Sequence, residues 1–254
     1  MISRYSVSLN GISLETLHDS ILILDVNYAA STHTYSRIKS AKREGSRVYN
    51  NYKEKAMVTI SFAIRAYDIA RRQNVCQTVC KWAKNGGTLE INDRVGQILK
   101  CVCETLPSVT SVKKWTDTFT IVFTAYNNPY WQEKTKSTLT LIGTTGSGSL
   151  YVPGSAPNTV VEVVATPTAT LTSLALTVAG KTITLSGIEV ASGKNIVIGY
   201  DDEMIQSIKA DGTSVLSKRT GADDLMAECG TYNSVSFTAD ASCSVTFSAR
   251  GLWE

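Results

Sequence analysis

Four cysteines offer the most tempting chemistry in this sequence. Cys76 and Cys80 stand four apart in a stretch with helical spacing, so they share a helix face; Cys101 and Cys103 stand two apart in a strand, so they share a sheet face. Were that helix to pack on that strand, four sulfurs would converge, and a tetrahedron of thiolates is what zinc binds. However, C-x3-C and C-x-C are not the spacings of common zinc modules, and free cysteine is among the most buried of the small apolar side chains. Core packing is the stronger reading, metal binding the weaker alternative, and a disulfide weaker still. Cys229 and Cys243 have no partner pattern and read as core or near-surface thiols.

The other reactive side chains make a thin inventory. His18 and His33 are the two histidines, both near the start, and no nucleophile-elbow glycine pattern or cysteine signature accompanies them. A hydrolase is not expected. Asp201-Asp202-Glu203 and Asp223-Asp224 lack the alternating oxygen ligands of a calcium loop and read as solvated acidic loops. Gly143-Thr144-Thr145-Gly146-Ser147-Gly148 lacks the lysine and following helix of a phosphate-cradling loop, so it reads as a flexible linker or turn. No cofactor is expected, and no enzyme.

Composition fits a folded globular chain: 43% of the 254 residues are hydrophobic and 19% charged, which excludes wholesale disorder. The longest apolar run near the start, Ile21–Leu24, is far short of the roughly 20 residues that a membrane-spanning helix needs. Met1–Ser8 holds no continuous apolar stretch and predicts no secretory leader, so synthesis in the cytoplasm with reduced thiols is the expectation. The net charge of +3 hides a split. Residues 1–134 carry 18 Lys and Arg against 11 Asp and Glu, a balance of +7; residues 135–254 carry 7 against 11, a balance of −4. Two modules facing different partners, or meeting each other on neighbouring copies, would use such a split. Sequence-specific nucleic-acid binding is not indicated, because the dense basic clusters with interleaved aromatics are missing.

The elements that must position these residues are mostly strands. Tyr5–Leu9 and Ile12–Leu14 alternate around Asn10-Gly11, a strong hairpin turn signal. Ile21–Val26 is a second strand. From Ser31 to Lys55 apolar residues are sparse and Arg37, Lys39, Lys42, Arg43, Arg47, Lys53 and Lys55 outnumber Glu44 and Glu54, which predicts a projecting loop or long hairpin, a basic arm. Met57–Tyr67 places Val58, Ile60, Phe62 and Ile64 on one face. One helix follows, residues 68–85, capped by Asp68, ended by Gly86-Gly87, and facing inward with Ile69, Arg72, Cys76, Val79 and Ala83. Thr88–Leu106 reads as a hairpin, and Asp117–Tyr126 as a strand with Phe119, Ile121 and Phe123 on one side, stopped by Pro129.

After Trp131 the composition shifts to Thr, Ser, Gly, Val and Ala, with short strands at Ser137–Ile142, Thr159–Ala165, Ser173–Val178, Thr182–Leu185, Asn195–Tyr200, Met204–Lys209, Ser214–Leu216, Ser234–Thr238 and Ser244–Ala249. Strands punctuated in this way predict a β-sandwich or jelly roll. The boundary is expected near residues 132–136, giving domains 1–134 and 135–254.

The order of these parts resembles the distal tail proteins of long-tailed phages. In the first half the likeness rests on the hairpin start, the basic arm, Val58-Thr59-Ile60-Ser61-Phe62, the capped helix, the hairpin Thr88–Leu106, Thr118–Ala125 and Asn128-Pro129-Tyr130-Trp131. In the second it rests on Gly148–Val152, the turn through Asn158, Val161-Glu162-Val163-Val164 and the closing Arg250-Gly251-Leu252-Trp253. The resemblance implies a mainly β chain: an N-terminal β-sandwich or barrel-like ring domain with one helix, then a galectin-like C-terminal β-sandwich. It further implies a structural virion protein, a homohexameric ring at the tail tip with no membrane insertion. Its implied partners are the tail tube protein, a tail-tip hub or tail-associated lysin-type protein, and the tape measure and receptor-binding proteins. The seven arm cations are the expected assembly contacts. The alternative for the second domain is carbohydrate binding, with Tyr151, Tyr200 and Tyr232 as the residues able to stack on a sugar; Trp253, at the extreme end, reads as a packing plug.

Overall fold

A computed structural model describes residues 4–29, 33–39, 46–53, 55–66, 68–108, 116–126, 128–200 and 205–254. The chain divides into two compact units, Met1–Trp131 and Gln132–Glu254.

The first unit runs β1 (Val7–Leu9), β2 (Ile12–Ser13), β3 (Ile21–Tyr28), β4 (His33–Lys39), β5 (Ser46–Lys53), β6 (Met57–Arg65), α1 (Ile69–Ala83), β7 (Gly87–Ile91), β8 (Gln97–Thr105) and β9 (Thr116–Ala125). Seven strands lie antiparallel in the order β2-β1-β7-β8-β9-β6-β3. The two strands with the clearest alternation meet in register: Val58 opposite Phe123, Ile60 opposite Ile121 and Phe62 opposite Phe119. All six are buried, and the Phe62 and Phe119 rings stack at 5.5 Å. The sheet curls. Tyr28, at the β3 edge, reaches the turn after β7, where its hydroxyl donates to Asp93 and the Arg94 guanidinium lies 4.6 Å from its ring centroid. The same guanidinium lies 4.9 Å from the ring of Trp131, which is 3% exposed. A cation held between two aromatic faces thus pins an edge strand to a turn and to the end of the unit.

The helix forms as its caps dictate. Asp68 accepts a hydrogen bond from the Ala70 N–H, and Gly86, at φ +62, takes the left-handed conformation that closes it. Its inward face is Arg72, Val75, Cys76, Val79 and Ala83. The expected Ile69 is 37% exposed, as are its neighbours Asp68, Ala70 and Arg71; burial starts at Arg72, and Val75, one turn before Val79, packs inward as well. Trp82 anchors the other end, its indole N–H donating to the Ile12 carbonyl and its ring meeting Phe123 edge-on.

After β10 (Trp131–Glu133) the second unit runs β11 (Ser137–Val152), β12 (Asn158–Pro167), β13 (Leu171–Val178), β14 (Lys181–Val190), β15 (Ile196–Tyr200), β16 (Gln206–Ala210), β17 (Thr213–Ser214), β18 (Arg219–Gly221), β19 (Met226–Glu228), β20 (Thr231–Ala249) and β21 (Leu252–Trp253). It is a sandwich in which two long strands serve both layers. Residues 231–238 of β20 pair with 145–152 of β11, and this β20 segment also pairs with β13, which leads to β14 and β18. Residues 243–249 of β20 pair with 137–143 of β11, and with β12, which leads to β15, β16 and β17. Alternate residues of each strand enter one core, among them Val161, Val163, Leu174, Leu176, Ile198 and Phe247.

The segment Gly143–Gly148, expected as a linker or turn, lies inside β11 instead. The glycines are there because the strand bends around the sandwich corner. Its register shifts between Gly143 and Thr145, and Gly143 sits at φ +142. Past the bend a Cβ on Gly146 would stand 2.6 Å from the Phe237 ring and 3.1 Å from Leu141 Cβ, so a side chain there has no room. Likewise the two expected strands Ser234–Thr238 and Ser244–Ala249 are one continuous strand.

Two stability changes of opposite sign follow. Gly146→Ala overfills the corner and should destabilise the second unit by about 1–3 kcal/mol. Ala179, at φ +46 in the β13–β14 turn, holds a left-handed conformation that alanine disfavours. Ala179→Asn should stabilise by about 1 kcal/mol, since asparagine enters that region readily. Urea unfolding of the full chain measures both; equal midpoints for all three proteins would contradict this account of the corner and the turn.

Candidate assembly and binding sites

The basic arm is a hairpin. β4 and β5 pair antiparallel as a two-stranded sheet of their own, with Arg37 opposite Val48, Arg47 opposite Ile38, Lys39 opposite Ser46 and Lys53 opposite His33. Neither strand contains an acidic residue. Lys55 follows the hairpin and is exposed; Lys42 and Arg43 lie outside the described residues.

The cysteines fall into two neighbouring pairs. Cys76 and Cys80, one helical turn apart, both donate to the Pro107 carbonyl, at 3.4 and 3.3 Å. Cys101 is fully buried, and Cys103 donates to the Thr105 carbonyl at 3.4 Å. Burial, and then the neighbouring Cys103, push the Cys101 thiol up to about 12; burial and then Cys80 raise Cys76. Burial thus favours the neutral thiol at Cys76 and Cys101. Among the described residues no group of three or more His, Cys, Asp or Glu is arranged to hold a metal ion.

His18 is tied locally, its Nδ1 accepting the Ser20 N–H at 3.1 Å and lying 2.8 Å from the Ser20 hydroxyl. The side chain of His33 and the acidic run at 201–203 lie outside the described residues. Asp223 is paired with Arg219, whose Nη2 stands 3.0 Å from its Oδ1.

Of the three tyrosines, the structure brings two together. Tyr151 and Tyr232 face each other across β11 and β20, with centroids 5.0 Å apart, rings tilted by 49° and exposures of 45% and 71%. Tyr200 is half-buried elsewhere, accepting a hydrogen bond from Gln206 Nε2, and Gln206 in turn accepts one from Arg219. Trp253 is partly buried and donates its indole N–H to Glu133 at 3.1 Å. What the sequence did not announce is the length of β11. Its clue was the alternation that resumes at Ser147-Gly148-Ser149-Leu150-Tyr151-Val152, hidden by the preceding glycines.

The raised thiols predict a pH dependence. Cys101 keeps its proton in the folded state up to about 12 but loses it near its ordinary value of 9.0 when unfolded. Its contribution is fully present below pH 9 and is lost as pH rises toward 12. Unfolding midpoints at pH 8 and pH 11 should fall more for the wild type than for Cys101→Ala; an identical fall would show that this thiol is not held neutral by burial.

No protein-family profile and no curated protein sequence matches the chain. Solved structures do. The crystal structure of the SPP1 Dit (gp 19.1) protein, described as a paradigm of the hub adsorption apparatus in phages infecting Gram-positive hosts, aligns with a TM-score of 0.73 at 10% identity, covering 97% of this chain and 98% of that one. Two structures of the phage P2 baseplate in its activated conformation also match. The one with Ca has a TM-score of 0.48 at 9% identity, covering 99% of this chain and 98% of that one; the one with Sr has 0.46 at 10% identity, covering 97% of each. Through a strand-rich first unit with one helix and a galectin-like second sandwich, the chain has the fold of the SPP1 Dit hub protein.

Proposed function

We propose that the protein is a structural component of a phage tail tip, a homohexameric ring that joins the end of the tail tube to the tail-tip hub. The observation that carries this reading is the fold likeness to SPP1 Dit along nearly the full length of both chains. Function here lies in repeated contacts rather than in a reacting centre. The first domain forms the ring and the second faces outward. The tube protein and a hub or lysin-type protein flank the ring, and the tape measure and receptor-binding proteins are further neighbours. The charge division supports the arrangement, since a head-to-tail ring needs two different, complementary faces on one chain, here a balance of +7 on residues 1–134 and −4 on 135–254. Its place is the virion tail, after synthesis in the host cytoplasm; among the described residues no helix is long and apolar enough to cross a membrane.

A second reading concerns the second domain alone. Its support is the exposed Tyr151–Tyr232 pair, where two aromatic rings stand together at the surface. Saturable binding of host wall saccharides that Tyr232→Ala abolishes would establish it, and flat titrations would remove it.

Light scattering and negative-stain imaging of the purified protein test the ring directly. A closed ring is the expected result; a stable monomer at micromolar concentration, with no ring in the particle, overturns it. Neutralising Arg43, Arg47 and Lys53 together should shift the protein toward smaller species while circular dichroism stays unchanged, because exposed charge changes seldom cost a fold more than about 0.5 kcal/mol each. Assembly that survives all three substitutions would take the arm out of the ring contacts.

A further inference from the structure

The two outward faces of the second domain are built from different side chains. Across the β11–β20–β13–β14 ladder, Ser147, Ser236, Thr177 and Thr182 stand in register as one row. The next row toward the corner is Thr145, Thr238, Ala175, Thr184 and, from β18, Thr220. On the other side Ser149 faces Ser234, and beyond them Tyr151 faces Tyr232. Apart from Ala175 and the two tyrosines, each of these positions bears an aliphatic hydroxyl, and none bears a charge. All are exposed or half-buried. Even β11, the edge strand of both layers, carries no charged residue along Ser137–Val152. Charge returns at the margins: Lys181 beside the β13–β14 turn, Glu189 near the end of β14, and Asp240 after the paired segment of β20.

The other layer shows that strand formation does not demand this. Its outward row runs Val164, Val197 and Lys209, with Glu162 two residues from Val164 on β12 and Ile142 76% exposed on β11. Valine suits an outward strand position as well as threonine does. Hydroxyls throughout one face, against apolar and charged groups on the other, are therefore a property of that surface and not of the fold.

Few ligand chemistries match such a face. A phosphate-bearing polymer or an acidic protein meets no cation among these positions, and a basic partner meets no carboxylate. The buried centres of protein interfaces favour aromatic, methionine and arginine side chains and are poor in serine. A lattice of hydroxyls does match other hydroxyls, because each both donates and accepts. Thr177 and Thr182 already orient one another, their hydroxyl oxygens lying 2.8 Å apart. At one end, the Tyr151–Tyr232 pair supplies ring surface for the C–H side of a sugar ring. Strand spacing and rise make the face about 20 Å in each direction, more than one sugar residue covers.

We propose that this face binds an uncharged polysaccharide, laid across the hydroxyl rows with one sugar ring against the tyrosine pair. The proposal rests on the sugar-binding reading of the second domain and names its ligand class: neutral, and several residues long.

Titration of the full chain with neutral oligosaccharides (N-acetylglucosamine, galactose and rhamnose series) and with poly(glycerol phosphate) tests it. At least one neutral series should bind saturably and independently of salt, the hexasaccharide more tightly than the disaccharide. Thr177→Val with Ser236→Ala should weaken that binding about tenfold, as the loss of a net hydrogen bond or two would, with an unchanged unfolding midpoint. Binding lost in Tyr232→Ala but intact in the double variant would confine the sugar to the tyrosines, overturning the proposal while keeping the sugar-binding reading. A preference for poly(glycerol phosphate) also overturns it. Failure of every neutral series to bind removes both. A changed oligomeric state of the double variant in light scattering would make the face a contact between copies, and the proposal falls. The tail-tip reading depends on none of these outcomes.

Discussion

Two strands that belong to two sheets at once set the plan of the second unit. β11 and β20 stay paired through a corner, so their main-chain groups remain hydrogen-bonded while the ribbon turns from one layer to the other. Keeping that ladder intact requires a bend without side chains in its crook, hence glycine at 146 and 148, facing Leu141 and Leu139 of the same strand. Register follows from the same constraint. A slip of one residue along β20 would turn Val235, Phe237, Val245 and Phe247 out of the core together, and no loop rearrangement could compensate for that loss. The corner also decides which side of the sandwich stays open, because the strand that turns it lies at the edge of both layers.

In the first unit the comparable constraint is what happens to its cations. Where a cation sits among packed elements it is held: Arg94 between the rings of Tyr28 and Trp131, with Asp93 taking the Tyr28 hydroxyl. Desolvation and that acceptor raise the Tyr28 phenol, so the cluster stays a neutral ring beside a cation through the physiological range. The arm follows the opposite rule. Its strands contain four cations, no acid and few large apolar side chains, and they form no ladder with the seven-stranded sheet. An isolated two-stranded ribbon is marginal in water. A marginal ribbon rich in cations would gain from an external acidic surface, and on that physical argument the arm is proposed as an assembly element.

Much of this plan was legible in the sequence, for identifiable reasons. Period-two alternation in 58–64 and 119–123 named the two faces that meet in register, Asn10-Gly11 and Gly86-Gly87 marked positive-φ positions that asparagine and glycine favour, and Asp68 offered the side-chain acceptor that caps the helix. The same reasoning misread Gly143–Gly148, because glycine signals a turn in a local window whether the chain reverses or merely rounds a corner inside a strand; the distinction lies in Phe237, nearly a hundred residues away. It also placed Ile69 inward. Helical spacing identifies a face but not where along it burial starts, and here Asp68–Arg71 stay exposed while Arg72 is buried. The tyrosines show the limit for sites. Pairing Tyr151 with Tyr232 depends on the β11–β20 register, which no local pattern encodes.

An identity of 10% beside a TM-score of 0.73 is what such a plan permits. The requirements are alternation, register, a flexible corner and turns able to take positive φ, and each can be met by many sequences of suitable size and polarity. Core positions here are filled mostly by Val, Leu, Ile, Phe and Ala, which interchange at modest cost when volume is kept. Surfaces carry no such common demand. The charge of the arm and the bareness of the β11 edge are choices the fold does not impose, since a lysine at an exposed edge position would leave the sandwich as stable as before. Stability leaves both features free, so neither the concentration of charge on one ribbon nor its absence from the other follows from the fold.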